Sequence, residues 1–190
     1  MRKGKLIVIS APSGAGKTTL KDRVLPNYPK MKYSISATTR APREGEINGE
    51  HYFFKTHQEF EKMIEDQELV EYMEVHGNYY GTPKSFIQKT LEGGEDVLLD
   101  LDVYGKINFD KVFPEAVGIL VKTPGMDVLE ARLRSRATDE EETIQLRLQN
   151  AKKELEFADE KGKYEYILIN DDLERCVIEF DSILKTELHS

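Results

Sequence analysis

In KLIVIS, residues 5–10, four apolar side chains follow one another without alternation. A strand with one wet face alternates apolar and polar residues, whereas a continuous β-branched run belongs to a strand covered on both faces. That is the habit of parallel sheets. Parallel neighbours cannot be joined by hairpins and need crossover helices. The run leads into small residues, APSGAG, and then into KTTLKDRVLP, which reads as a helix stopped at Pro26. A buried strand, a glycine-rich loop and a helix in this order commit the chain to an α/β architecture.

The rest of the sequence supports that class. DVLLDLD (96–102), AVGILVK (116–122) and YEYILIND (164–171) read as three further buried strands. An amphipathic helix over 173–188 closes the chain. Two stretches differ in texture. Residues 33–92 are rich in Ser, Thr, Gly and aromatics, which suggests short antiparallel strands. They also hold a helix capped by Thr56, with Phe60, Met63 and Ile64 at helical spacing, and another over 85–91 ended by Gly93-Gly94. Residues 126–163 are highly charged with thin apolar content, and read as two helices joined across 135–143, a mobile flap. The expected fold is therefore a three-layer sandwich around a central parallel sheet, with core segments near 1–32, 93–125 and 164–190. A mixed αβ insertion and a helical one interrupt it.

A length of 190 residues suits one such domain. No run approaches the roughly 20 apolar residues of a membrane span. The basic start and short apolar run read as the first strand and not as a secretory leader. One cysteine, Cys176, allows no internal disulfide, which fits a cytoplasmic protein. The formal charge of −8 argues against nucleic acid as main partner, because a duplex binder needs a basic face. The arginines nevertheless group locally, Arg40 with Arg43, and Arg132, Arg134 and Arg136 with Arg147. An acidic protein with arginine groups fits a small anionic ligand.

APSGAGKT follows the phosphate-loop pattern with Ala11 where its first glycine stands. Such a loop works through inward backbone N–H groups, a helix N-terminus, a lysine and a hydroxyl. Ala11, Pro12, Ser13, Gly14, Ala15, Gly16, Lys17, Thr18 and Thr19 form the expected ATP-binding loop. Lys17 reaches the β- and γ-phosphates and Thr18 is placed for Mg2+. Ala11 lies where the strand leaves the sheet and is acceptable if its φ stays negative. A metal at such a loop also wants an acid at the end of a neighbouring strand. Asp100 and Asp102, two apart and so on one side of their strand, are the candidates.

Arg40 and Arg43, with Tyr52, Tyr79 and Tyr80 further on, make the first insertion a pocket for a second phosphorylated molecule. Arg132, Arg136 and Arg147 in the flap suit a phosphoryl group in transfer. No general base is evident, and a phosphate acceptor needs none, its second pKa being about 6. These features together describe a nucleoside monophosphate kinase.

The segments YSISATTRAPREGEINGEHYFF, GNYYGTP, DVLLDLDVYG, RLRSRATDEEETIQLRL and YILINDDL resemble the guanylate kinase family, in its order and over nearly the whole chain. The resemblance implies transfer of the γ-phosphate of ATP to GMP or dGMP with Mg2+, by a core, a GMP-binding region and a lid. By position, it implies that Arg40, Arg43, Tyr52 and Tyr80 hold the GMP phosphate. Ser36, Glu71 and Thr82 would then read the base, with Asp100 nearby. One carboxylate can accept from both the N1–H and the amino group of guanine, while hydroxyls donate to its O6; adenine reverses both signs. Asn170 and Asp171 match the family stretch near the adenine of ATP. Lys17, Arg40, Arg132, Arg136 and Arg147 are the residues expected to carry the catalysis.

The chain departs from the family's habits at Ala11, at His51 before Tyr52, at Tyr104 before Gly105, at Ala137 after Arg136, and at VKTPGM. His51, His57, His76 and His189 form no convincing metal set, and the acids at 139–142 read as a helix start. Two other readings stand beside the enzyme: a guanylate kinase-like module that holds phosphopeptides, and a kinase for another nucleotide.

Overall fold

The computed structural model describes residues 3–75, 77–135 and 140–189. Its centre is a five-stranded, wholly parallel sheet. The strands are β1 (Leu6–Ser10), β2 (Lys32–Tyr33), β7 (Val97–Leu101), β8 (Val117–Lys122) and β9 (Tyr166–Ile169), in the spatial order β2-β7-β1-β8-β9. Successive side chains of β1 leave on opposite faces, as strand geometry requires. Ile7 and Ile9 join Leu20, Val24, Cys176 and Phe180, from helices α1 (Lys17–Val24) and α7 (Leu173–Leu188). Leu6 and Val8 join Ile87, Leu91 and Phe109, from α3 (Lys84–Glu92) and α4 (Val103–Asp110). This is the expected three-layer sandwich, and both faces of the central strand are dry.

Two core elements lie outside the sequence reading. Four strands are expected in the core sheet, and β2 is a fifth, pairing with β7 through Lys32↔Val97 and Tyr33↔Leu98. It is two residues long and only partly buried, so its composition merges with the polar segment that follows. Helix α4 begins directly where β7 ends. Asp102 caps it, its Oδ1 accepting from the Gly105 N–H at 2.6 Å. A helix of eight residues with no linker and an internal glycine carries little periodicity.

The first insertion forms a second sheet, β4-β3-β6-β5, from β3 (Ala37–Thr38), β4 (Phe53–Phe54), β5 (Leu69–Val75) and β6 (Asn78–Pro83). Its β3–β6 and β5–β6 pairs are antiparallel, as expected; β3–β4 is parallel. Helix α2 (His57–Glu65) starts at Thr56 with a complete capping box, the Thr56 hydroxyl accepting from Glu59 N and the Glu59 carboxylate accepting from Thr56 N. The second insertion is the expected helix pair, α5 (Met126–Ser135) and α6 (Glu141–Lys161). Its small core joins Leu129 and Leu133 to Ile144 and Ala151. Arg136, Ala137, Asp139 and His76 lie outside the described residues.

The exit from α6 is pinned by a buried cation. The Lys106 ammonium, with no exposed surface, pairs with Asp110 at 2.6 Å and donates to the Lys163 carbonyl at 3.0 Å. A buried lysine needs both a counter-charge and acceptors, and these tie α4 to the start of β9. Among the described residues no helix is long and apolar enough to cross a membrane.

Candidate active site

The parallel register brings the phosphate loop to the acids. Ile9 lies beside Asp100 and Ser10 beside Leu101, so the loop leaving β1 emerges next to the C-terminal end of β7. Open parallel sheets bind ligands at this edge. Within the loop, Gly14 (φ 93°) and Gly16 (φ 99°) adopt left-handed backbone. A Cβ on Gly16 would stand 2.3 Å from Asn170 Nδ2, and one on Gly14 would press on the side chains of Leu133 and Leu129 at 2.9 and 3.0 Å. Ala11 is buried and outside the left-handed region, so alanine there meets the condition on its φ. The loop is further held from behind. Asn170 Nδ2 donates to the Ala15 carbonyl at 2.8 Å, and Asn170 N donates to the Lys122 carbonyl.

Lys17 stands 2.9 Å from Asp100 Oδ2 and donates to the Leu101 carbonyl at 3.1 Å. The other Asp100 oxygen accepts from the Tyr33 hydroxyl, and the Lys21 ammonium lies 4.3 Å above the Tyr33 ring. Burial works to raise the Asp100 carboxyl, but Lys17 and these hydrogen bonds outweigh it and hold the group below its ordinary range. Burial and the Asp100 charge push the Tyr33 hydroxyl far up, so it remains a donor.

Two cavities meet here. One, of about 370 Å3, is lined by loop residues 11–14 and 16–19, by Asp100 and Asp102, and by Glu154 of α6. The other, of about 750 Å3, opens toward the second sheet and reaches Ser36, Tyr52, Glu71 and Tyr80. Lys17, Thr18, Asp100 and Asp102 line both. At the inner end of the larger cavity, Thr82 Oγ1 donates to Glu71 Oε1 at 2.6 Å. Burial pushes the Glu71 carboxyl up to about 7, Asp102 adds to the rise, and the hydrogen bonds from Thr82 oppose it. Gly105 closes this end, since an added Cβ would lie 3.3 Å from both Glu71 Oε2 and Asp102 Oδ1.

At the rim, Arg40 Nη2 donates to Glu46 Oε1 at 2.8 Å, and Glu46 Oε2 accepts from Arg43 N at 2.7 Å. Arg40 and the Arg43 N–H hold the Glu46 carboxyl down to about 2. The Arg40 guanidinium also lies 5.4 Å from the centre of the Tyr52 ring, which meets Tyr80 edge-on at 6.2 Å.

The family model for guanylate kinase matches residues 3–187. The guanylate kinase of Desulfitobacterium hafniense (strain Y51) is 46% identical over 184 residues, which is 97% of this chain and 90% of that protein. The guanylate kinase of Carboxydothermus hydrogenoformans is 46% identical over 187 residues, 98% and 90% of the two chains. The crystal structure of guanylate kinase from Anaplasma phagocytophilum superposes with a TM-score of 0.78 at 29% identity, over all of this chain and 88% of that one.

The chain belongs to the guanylate kinase family.

The structure separates the site residues expected from the sequence. Ser36, Tyr52, Glu71, Tyr80 and Asp100 line the larger cavity, and Thr82 stands behind Glu71. Arg40 and Arg43 lie outside the lining, with Arg40 engaged by Glu46 and Arg43 exposed. Asn170 is buried behind the loop, and Asp171 is exposed and paired with Arg175 at 2.5 Å. Arg132 Nη2 donates to the Asn170 carbonyl at 2.7 Å, and Arg147 is half-buried on α6; neither lines the two cavities. Helix α5 is seated on Gly14 through Leu129 and Leu133, so this half of the helical insertion is continuous with the loop.

Four residues of the site escape sequence reasoning: Tyr33, Lys21, Glu46 and Glu154. Glu46 carries a signal in hindsight, an acid three residues after Arg43 in a tight turn. Glu154 carries none, being one of many acids on α6. Of the family departures, His51 Nδ1 accepts from Ile47 N at 3.1 Å within the rim turn. Tyr104 lies against Phe157 of α6, ring centres 4.7 Å apart.

The donor set suits Mg2+. Among the described residues no three His, Cys, Asp or Glu side chains converge to hold a metal alone. The Thr18 hydroxyl with Asp100 and Asp102 instead lines the smaller cavity. Mg2+ takes one or two carboxylates and completes its shell with phosphate and water.

Proposed function

We propose that this protein transfers the γ-phosphoryl group of ATP to GMP, and also to dGMP, giving ADP and GDP or dGDP. One observation carries the reading. The phosphate-loop cavity and the Glu71 cavity share Lys17, Thr18, Asp100 and Asp102, so two phosphorylated molecules bound in them meet end to end. The ionised acceptor oxygen of the monophosphate then faces the γ-phosphorus in line, and ADP leaves on the opposite side.

Residues 33–92 act as the GMP-binding region. Glu71 takes the two donors of the guanine edge, Thr82 and Ser36 orient the base, and Tyr52, Tyr80, Arg40 and Arg43 hold its phosphate. Arg40 reaches that phosphate by exchanging Glu46 for it, which a bidentate guanidinium–phosphate pair favours. Backbone N–H groups from residues 11–19 hold the ATP phosphates with Lys17. Thr18, Asp100 and Asp102 would hold Mg2+, which would supply charge neutralisation for the phosphates when bound. Residues 126–163 act as a lid. Its closure brings Arg132, Arg136 and Arg147 to the transferring group and excludes water that would hydrolyse ATP. Asn170 and Asp171 border the adenine side in the closed form.

An ADP-release assay with ATP, Mg2+ and a panel of GMP, dGMP, AMP, CMP, UMP and dTMP tests the proposal. Turnover with GMP and dGMP alone is expected. Turnover with AMP in place of GMP would overturn the base assignment, and no turnover with any would favour a phosphopeptide-binding module.

A further inference from the structure

Among the described residues, Glu154 is the one charged side chain lining the cavity at the phosphate loop that comes from the helical insertion. It is half-buried, facing Asp102 and Lys17 across the cavity. Its neighbour on the helix, Glu156, is exposed and close to Lys152 at 4.0 Å, the usual position for an acid on a surface helix. Among the described residues Glu154 has neither a hydrogen bond nor an ion pair of its own. Removing a carboxylate from water without a partner is costly. Burial, with the Asp102 charge adding to it, pushes the Glu154 carboxyl up to about 7 against the pull of Lys17, so at mildly alkaline pH the cavity holds a charge that an arriving cation would stabilise.

The nucleotide phosphates alone cannot be that partner. Three carboxylates, Asp100, Asp102 and Glu154, line the cavity against the single ammonium of Lys17, which Asp100 already engages at 2.9 Å. Asp100 and Asp102 are held at the sheet edge, by Lys17 and Tyr33 and by the α4 cap respectively. Glu154 rides on α6. It therefore adds a repulsion toward bare phosphate that is applied by the insertion itself. A divalent ion on the phosphates would reverse the sign, because it would bring positive charge toward the carboxylate.

We propose that Glu154 makes the phosphate cavity discriminate for the cation-loaded nucleotide, so that the helical insertion settles over ATP with its metal and is held off ATP without it. The inference rests on the assignment of the loop to ATP.

Calorimetric binding of ATP, with GMP absent, tests it. Affinities are compared in Mg2+ and in EDTA at mildly alkaline pH, for the unaltered protein, Glu154→Gln, Glu154→Asp and Glu156→Gln. Glu154→Gln should bind metal-free ATP about three- to ten-fold more tightly, and its gain on adding Mg2+ should shrink by a similar factor, as expected for one charge at close range. Glu154→Asp, which keeps the charge, should retain the original preference, and Glu156→Gln should not change it. An unchanged ratio in Glu154→Gln, or an equal shift in Glu156→Gln, would overturn the inference and leave the loop assignment standing. Failure of the unaltered protein to bind ATP with Mg2+ would overturn the assignment and the inference together.

Discussion

The carbonyl of Ala15 accepts a hydrogen bond of 2.8 Å from the buried amide of Asn170, a residue 155 positions away in sequence. The same amide nitrogen occupies the space a side chain on Gly16 would need. The phosphate loop is thus shaped from behind by the strand end at β9, as well as by its own glycines. Gly16→Ala should cost about 1–3 kcal/mol in backbone strain alone and more from the collision. Asn170→Ala should also destabilise, by losing the clamp. The double variant should lose about 1 kcal/mol less than the two singles together, because the collision disappears with the amide. Urea unfolding of the three proteins reads this directly, and strict additivity would show that the two residues act independently.

Lys17 is bonded to protein groups before any ligand arrives. Lys17→Ala should abolish transfer, with kcat lower by about three orders of magnitude or more, while far-UV circular dichroism stays unchanged. The pair with Asp100 is partly open to solvent, so the stability loss should be small, about 1 kcal/mol. Retained turnover would show that this loop is not the phosphate site.

Glu71 links stability to pH. Its carboxyl is raised from 4.5 to about 7, so the native protein keeps a proton that the unfolded chain releases across that window. Stability therefore falls as pH rises between these values. Glu71→Gln should flatten that part of the profile and make the ligand-free protein more stable at mildly alkaline pH, by up to about 3 kcal/mol. The same change should weaken GMP by at least about ten-fold, since an amide cannot accept from both guanine donors. Thermal unfolding across the window and GMP titration measure the two effects. A profile unchanged in Glu71→Gln would place the titration elsewhere.

Arg43 is exposed and its backbone N–H anchors Glu46. Truncation to alanine leaves that N–H in place, so the rim turn should keep its shape. Arg43→Ala should raise the KM for GMP about ten- to a hundred-fold with little change in the KM for ATP. An unaltered GMP value would remove Arg43 from the phosphate pocket.

The local sequence determined the parts whose physics is local. The apolar run ending at Ser10, the glycines at 14 and 16 and the lysine after them specify strand, loop and helix without reference to the rest of the chain. Thr56 and Glu59 likewise specify a capping box within four residues. The family resemblance, carried by YSISATTRAPREGEINGEHYFF, GNYYGTP and the other segments in the family's order, implied by position Tyr52, Glu71 and Tyr80, which the fold does gather at one cavity. Tertiary structure decided what depends on alignment across the sheet. The β1–β7 register brings Asp100 to Lys17, and β2 delivers Tyr33 to the same carboxylate. It also decided that Asn170 braces the loop and that Glu154, alone among the acids of α6, lines the cavity at that loop. One side chain on a charged helix is chemically the same as its neighbours until packing chooses the face it shows, and that choice is made by contacts distant in the chain.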